Sequence, residues 1–293
     1  MGLIFNRVKF LLDGKDSGSC FDNTIMVGRQ KLSLSVKENN ILISTYNLSN
    51  QFDKSYFEKR GYSDDIIKSY LEIKNLRIVD YSDYEGADIV TDLNHPIKKE
   101  LYNNFDALID GGSIEHIFNF PNAIKNYMKM VKVGGSIFIF TNANNHCGHG
   151  FYQFSPELFF NIFNESNGFK TSSILLMEHP YPGAELSKKQ VSYEVIDPGQ
   201  LGERSVIVNN KPLGIMICAK KIKETEIFKD FPIQNDYANL NNKYFTKEKL
   251  KQKISNLDFI KDVIPNKILN TLRGMKQLKK YSLKNRKFFL KVD

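Results

Sequence analysis

Short apolar runs recur along the chain, each closed by polar or glycine residues, with amphipathic stretches between them. Residues 24–27 (TIMV) form the first run and end at Gly28-Arg29-Gln30. Runs at 76–79 and 87–90 end at Asp80 and at Thr91-Asp92-Leu93, and a run at 107–109 ends at Asp110-Gly111-Gly112. Runs of this length, bounded by turn residues, predict buried strands. Phe57, Ile66, Ile67, Tyr70 and Leu71 fall at helical spacing, as do Ala123, Ile124, Tyr127, Met128 and Val131. Gly134-Gly135 then turns the chain into a strand at 136–140. Ser155-Pro156-Glu157 opens a helix that buries Leu158, Phe159, Ile162 and Phe163, with serine at the cap and proline in the first turn. Residues 206–208 and 213–219 predict a closing β pair around Asn209-Asn210-Lys211, at or near the sheet edge. Residues 1–22 read as an irregular lead-in.

Strands alternating with helices predict an α/β domain over residues 23–220 with a mostly parallel sheet. Beyond it the pattern changes. Leu250, Ile254, Leu257, Ile260 and Ile264 keep helical spacing, Pro265 interrupts it, and Ile268, Leu269, Leu272, Met275 and Leu278 resume it. Residues 221–293 therefore read as a basic amphipathic helical tail. Residues 243–293 carry 15 Lys+Arg against 4 Asp+Glu, a net of +11, whereas the whole chain is +8. The basic character belongs to the tail and says little about a ligand of the main domain. Three placements fit such a tail: packed on the domain or on a second subunit, laid on an anionic membrane surface, or bound to nucleic acid. No nucleic-acid-binding motif accompanies it, so nucleic acid is not an expected partner.

The chain of 293 residues is 41% hydrophobic, enough for a packed core. No run of 18 apolar residues and no signal peptide is read. Cys20, Cys147 and Cys218 are odd in number and far apart, which points to a reducing, cytoplasmic compartment rather than a disulfide scaffold.

The candidate chemistry sits at the strand ends. In an open α/β sheet, ligands bind outside the carboxyl ends of the strands. Three of these ends are acidic: Asp80, Asp92 and Asp110. A carboxylate after the second strand can accept from both hydroxyls of a ribose. Asp92 can accept from an exocyclic amine while the Leu93 amide addresses an adenine ring. Together they describe a slot for adenosine. The plainer alternative is that each aspartate caps a turn. A dinucleotide fingerprint and a Walker A sequence are both missing, which sets hydride transfer and nucleotide hydrolysis aside.

DYSDYEGADIVTDLNHP (80–96), FDALIDGGSIEHIFN (105–119), MVKVGGSIFIF (130–140) and NNHCGHGFYQFSPELFF (144–160) resemble the class I S-adenosylmethionine-dependent methyltransferase superfamily, and most of all a bacterial subgroup associated with surface-glycan genes. The resemblance spans roughly residues 20–220. It implies a Rossmann-like, mostly parallel seven-stranded sheet with an antiparallel last strand. It also implies S-adenosylmethionine as cofactor, S-adenosylhomocysteine as product, and a small-molecule acceptor. The acceptor expected is an oxygen of a nucleotide-sugar or other surface-polysaccharide precursor. Gly28, Arg29, Asp80, Ser82, Asp92, Leu93, Asp110, Gly111 and Gly112 would hold the cofactor. The superfamily's glycine-rich first loop is reduced here to Gly28, and Arg29 or Gln30 is the residue to reach the methionine carboxylate in its place.

Four of the five histidines lie in the resembling region: His95, His116, His146 and His149. His116 follows Glu115 beyond the fourth strand end, where the methyl group would be transferred. Its imidazole, or that of His149, can take a proton from an acceptor hydroxyl. A histidine bonded locally at a helix start is the alternative. Glu115, His146, Tyr152 and Gln153 would face the acceptor. His146-Cys147-Gly148-His149 lacks a second cysteine pair and an obvious acidic partner, so no metal is expected. A rival from another class is a non-catalytic fold of the same type, docking on a membrane or partner through its tail.

Overall fold

The computed structural model describes residues 2–49, 51–59, 61–181, 190–235 and 266–292. The lead-in is ordered, contrary to expectation. Gly2–Ile4 (β1) pairs in parallel with Lys31–Ser33 (β3), and Phe5–Asp16 (α1) packs on the main sheet. Val8, Phe10, Leu11 and Leu12 are buried there. A Cβ at Gly14 would stand 2.6 Å from the Phe138 ring. Gly14 is thus a contact point between helix and sheet.

Asn23–Val27 (β2) is the central strand. After β3 come Val36–Tyr46 (α2), Lys54–Glu58 (α3) and Asp64–Leu71 (α4). Helix α2 starts at a reciprocal cap: Ser35 Oγ accepts from the Glu38 amide at 3.3 Å, and Glu38 returns by accepting from the Ser35 amide at 2.8 Å. Asn75–Asp80 (β4) and Ile89–Val90 (β5) follow on one side of β2, and Phe105–Asp110 (β6) on the other. Phe120–Met130 (α5) leads into Val131–Asn144 (β7). The β6–β7 register shifts between Phe105 and Ala107, so the segment carrying Gly134 (φ 88°) loops out before pairing resumes at Ser136.

Pro156–Ile162 (α6), Phe169–Glu178 (β8), Val191–Val195 (β9), Pro198–Leu201 (α7), Leu213–Lys221 (β10), Asn266–Lys280 (α8) and Phe289–Val292 (β11) complete the described elements. The main sheet runs β11-β9-β8-β10-β7-β6-β2-β4-β5. Strands β5, β4, β2, β6 and β7 are parallel, and β10 is antiparallel to both β7 and β8. The mostly parallel, Rossmann-like core with a late antiparallel strand is therefore present. The sheet is nine-stranded and mixed, not seven-stranded, because β9 and β11 extend it. The expected closing pair is also replaced. Val208 bonds Tyr281 (N···O 2.9 Å), while β10 lies between two strands rather than at an edge. An uninterrupted apolar run suits that position, where both faces are buried.

Alternation along the strands divides the core. Ile25, Val27, Ile137 and Ile139 face α5 and α6, while Met26, Phe138 and Phe140 face α1, α2 and α4. The tail does not separate cleanly from this core. Ile227 is buried, the Asn235 amide donates to Glu157 at 2.8 Å, and Leu283, Phe288 and Phe289 are buried beside the sheet. A purely helical basic appendage over 221–293 is not what the described residues form. Helix α8 exposes Met275 and Leu278. The first half of the expected stripe, Leu250 to Ile264, lies outside the described residues. Among those described, no helix is long and apolar enough to cross a membrane.

Lys221 closes the fold at the end of β10. Its side chain is 2% exposed, and Nζ donates to Asn103 Oδ1 (2.7 Å), the Val131 carbonyl (3.0 Å) and the Met128 carbonyl (3.3 Å). The last two acceptors belong to the α5–β7 junction, where helix carbonyls run out of partners. Nζ also pairs with Glu224 at 2.9 Å, so Lys221→Ala should cost about 2–4 kcal/mol in urea unfolding, because four partners lose a buried cation. Lys37→Ala, at an exposed site, should stay within about 0.5 kcal/mol.

Candidate active site

The chain order reverses about β2, with β4 and β5 on one side and β6 on the other. The carboxyl ends of these strands frame the crevice expected of such a switch point. Asp110, at the end of β6, is fully buried. Its Oδ1 accepts from the amides of Gly112 (2.9 Å) and Ser113 (2.7 Å). Its Oδ2 accepts from the Ile114 amide (3.0 Å) and the Tyr127 hydroxyl (2.9 Å). All four bonds are internal. Asp110 therefore shapes the loop that faces the crevice, where the sequence reading had it facing a ligand. Burial pushes its carboxyl above the ordinary value, against the pull of the amide donors and Tyr127. Gly111 lies under the same loop: its carbonyl accepts from Arg7 at 3.0 Å, and a side chain there would run into Gln30.

The first loop achieves its shape with one glycine and one glutamine. Gly28 has φ 66°, and a Cβ there would meet Ser113 Oγ at 2.8 Å. Gln30 is buried and folds back, its Nε2 donating to the carbonyls of Val27 (3.1 Å) and Gly28 (3.0 Å). Arg29 points elsewhere. It pairs with Asp64 at 2.6 Å, donates to the Glu85 carbonyl at 3.1 Å and stacks over Tyr62. Neither residue extends into the crevice toward a carboxylate.

A cavity of about 300 Å³ opens between the strand ends, lined by Gly28, Asp80, Asp92, Leu93, Gly112 and His116. Val27, Val79 and Ile117 supply apolar wall. Asp80 Oδ1 accepts from the Tyr81 amide at 2.6 Å. Asp92 Oδ1 accepts from the backbone amide of Asn94 (2.9 Å) and from its side chain (2.8 Å), and these bonds hold its carboxyl below the ordinary value. Ser82 is exposed and does not line the cavity. A larger cavity, about 580 Å³, lies against α1, β8 and β10. It holds none of the strand-end carboxylates of the parallel sheet and no histidine.

Beyond His116 the cavity adjoins a group of histidines. Glu115, fully buried, accepts from the Thr141 hydroxyl at 2.8 Å through Oε2, and its Oε1 lies 3.9 Å from His149 Nε2. The His116 and His149 rings are 5.4 Å apart, His149 and His146 6.3 Å, and His146 and His179 5.6 Å. Burial first, and the Asp110 charge second, push the Glu115 carboxyl up to about 7. The acidic partner that the His146–His149 segment lacks in sequence is thus supplied by the preceding strand end.

The loop after β7 is fastened to that same glutamate. Phe151 and Tyr152 amides donate to the Glu115 carbonyl at 2.8 and 3.3 Å, and a Cβ at Gly150 would stand 2.8 Å from that oxygen. His146 is buried, its amide donating to Gln153 Oε1 at 2.8 Å. Tyr152 donates to the Phe118 carbonyl at 2.6 Å and packs on Phe120 and Phe154. His146, Tyr152 and Gln153 hold the loop and do not line the cavity. Sequence reasoning missed Ser113, Tyr127, Thr141 and His179, and gave Gln30 a ligand-facing role where it instead fills the first loop. Each sits in an apolar or turn pattern that gives its polar role no separate signal.

No protein-family model matches the sequence, and no curated protein does. Solved structures do match. One is a SAM-dependent methyltransferase from Thermotoga maritima, described as a possible histamine N-methyltransferase (14% identity, 74% of this chain and 89% of that one, TM-score 0.40). Another is described as a putative methyltransferase from Bacillus halodurans (10%, 72% and 99%, TM-score 0.39). A third is a SAM-dependent methyltransferase from Aquifex aeolicus (11%, 73% and 90%, TM-score 0.33). At these scores the likeness adds nothing to the residues themselves.

Tyr127→Phe removes one of the four donors to a buried carboxylate. It should cost about 1–3 kcal/mol in chemical denaturation. Amide exchange at Gly112, Ser113 and Ile114 should quicken more than in the strands.

Proposed function

We propose that the chain is an S-adenosylmethionine-dependent methyltransferase acting on a small molecule, with an oxygen of a sugar or other surface-polysaccharide precursor as acceptor. The observation that carries the reading is the cavity at the switch point. It gathers Asp80 and Asp92 with apolar wall and places His116 at its rim. The cavity fits the cofactor in chemistry: a carboxylate after the second strand for the ribose, Asp92 and Leu93 for the adenine, and Gly28 and Gly112 for close backbone approach. The glycan acceptor and a cytoplasmic location rest on the sequence alone.

When bound, the cofactor supplies a methyl group already activated by its sulfonium. The protein's part is to align the acceptor, exclude water and take up a proton. Asp80 and Asp92 accept hydrogen bonds and fix the nucleoside. His116, backed by Glu115 and His149, receives the acceptor's proton. Arg29, Ser82, Asp110 and Gly111 have no direct part in this assignment; the last two shape the loop. A second reading is favoured by the Gln30-filled first loop, with no lysine or arginine among the described residues that line the cavity. In it the chain binds a nucleoside without transferring a methyl group.

Calorimetry with S-adenosylhomocysteine, with NADH as control, tests the proposal. Micromolar, one-to-one binding is expected, weakened at least about tenfold by Asp80→Ala, a loss of about 1.4 kcal/mol. Unchanged affinity in that variant would sink the assignment. With nucleotide-sugar acceptors, His116→Ala should lower turnover about 10²–10⁴-fold and leave cofactor binding within about threefold, a change below 1 kcal/mol. Binding without turnover on any acceptor would support the second reading.

A further inference from the structure

The group formed by Glu115, His116 and His149 has the chemistry of a metal site. One ligand atom from each lies within 4.8 Å of the others. Two imidazoles and one carboxylate form the donor set of open catalytic sites for zinc and for first-row divalent ions. From these residues we infer a binding site for a divalent transition-metal cation, with its open positions facing the cavity and able to take an acceptor oxygen.

Three observations support the site. Glu115 is fully buried, and its Oε1 has no hydrogen-bond partner among the described residues. At 3.9 Å from His149 Nε2, that oxygen is too far for a hydrogen bond. Two donors each about 2.1 Å from one ion stand roughly 3–3.5 Å apart, so closure by under an ångström completes the pair. Two of the three ligand residues are also held from behind. Thr141 fixes Glu115 Oε2, and the Asn142 side chain fixes the His149 carbonyl at 3.0 Å. Exposure is graded across the three. Glu115 is buried, His149 half-buried and His116 exposed at the cavity rim, so the open side faces the proposed acceptor.

A cation here would lower the pKa of a hydroxyl bound to it, the proton leaving to solvent. His116 and His149 would then be ligands rather than bare bases. This role rests on the proposed methyl transfer; the site itself does not. Acceptors with a hydroxyl, or with two neighbouring oxygens able to chelate, would be favoured.

The test is a Co²⁺ titration of the untagged, EDTA-stripped chain, followed by visible absorption. One equivalent should produce a saturable ligand-field spectrum. His149→Ala and Glu115→Gln, checked for folding by circular dichroism, should weaken binding at least tenfold. His95→Ala, outside the group, should bind as the parent chain does. His149 is half-buried, so its variant keeps the test readable if Glu115→Gln does not fold. No saturable spectrum, or equal affinity in His149→Ala, would overturn the site. S-adenosylhomocysteine binding to the stripped chain is measured alongside. Cobalt binding without it leaves the metal site standing and removes the methyl-transfer reading. The converse removes the metal site and keeps that reading.

Discussion

The buried Asp110 carboxylate organises this molecule's functional edge. A charge-bearing group with no exposure is costly unless donors surround it. Here three consecutive amides and a tyrosine hydroxyl converge on it. That demand fixes the chain direction after β6 and ties α5 to the loop through Tyr127. It also determines where the next residues project. Ser113 turns under the first loop and donates to the Val27 carbonyl at 3.1 Å, Glu115 turns inward and His116 turns out. The cavity and the histidine group are both downstream of one carboxylate's hydrogen bonds.

A second consequence is electrostatic. Glu115 is placed near Asp110 by that same turn, and neither is fully relieved by solvent. Arg7 lies near enough to counter the Glu115 charge in part. Such a pair leaves the acceptor side of the cavity with unspent affinity for positive charge, whether a proton or a metal ion. The nucleoside side contrasts with it. Asp92 is bonded to Asn94, which holds its carboxyl below the ordinary value, and Asp80 accepts from the Tyr81 amide.

Much of this was legible in the sequence. The strand ends at Asp80, Asp92 and Asp110 and the stripe of α5 follow from periodicity, because alternation and helical spacing report burial directly. The direction in which a polar side chain turns does not follow. Asp110 and Asp80 look alike in sequence, and only the hydrogen bonds distinguish an anchor from a lining residue. The turn of Arg29 away from the crevice is hidden for the same reason: Asp64 lies far along the chain and its pairing leaves no local trace. Ser35-Val36-Lys37-Glu38 did carry a start signal for α2, which the apolar pattern obscured. The strands β8 and β9 were missed because threonine, serine and glutamate interrupt their apolar positions. Proximity of His149 to Glu115 is a tertiary fact without local signature.

The antiparallel edge bears on how this protein behaves in a tube. Residues 289–292 hydrogen-bond along β9, which would otherwise present open amides and carbonyls on that flank. Those four residues become the sheet's edge themselves, and an edge strand that is so short and carries Lys291 is a poor template for neighbouring molecules. Shortening the polypeptide before Phe289, or crowding the strip with a fusion partner, would expose β9 as a template for sheet-to-sheet association.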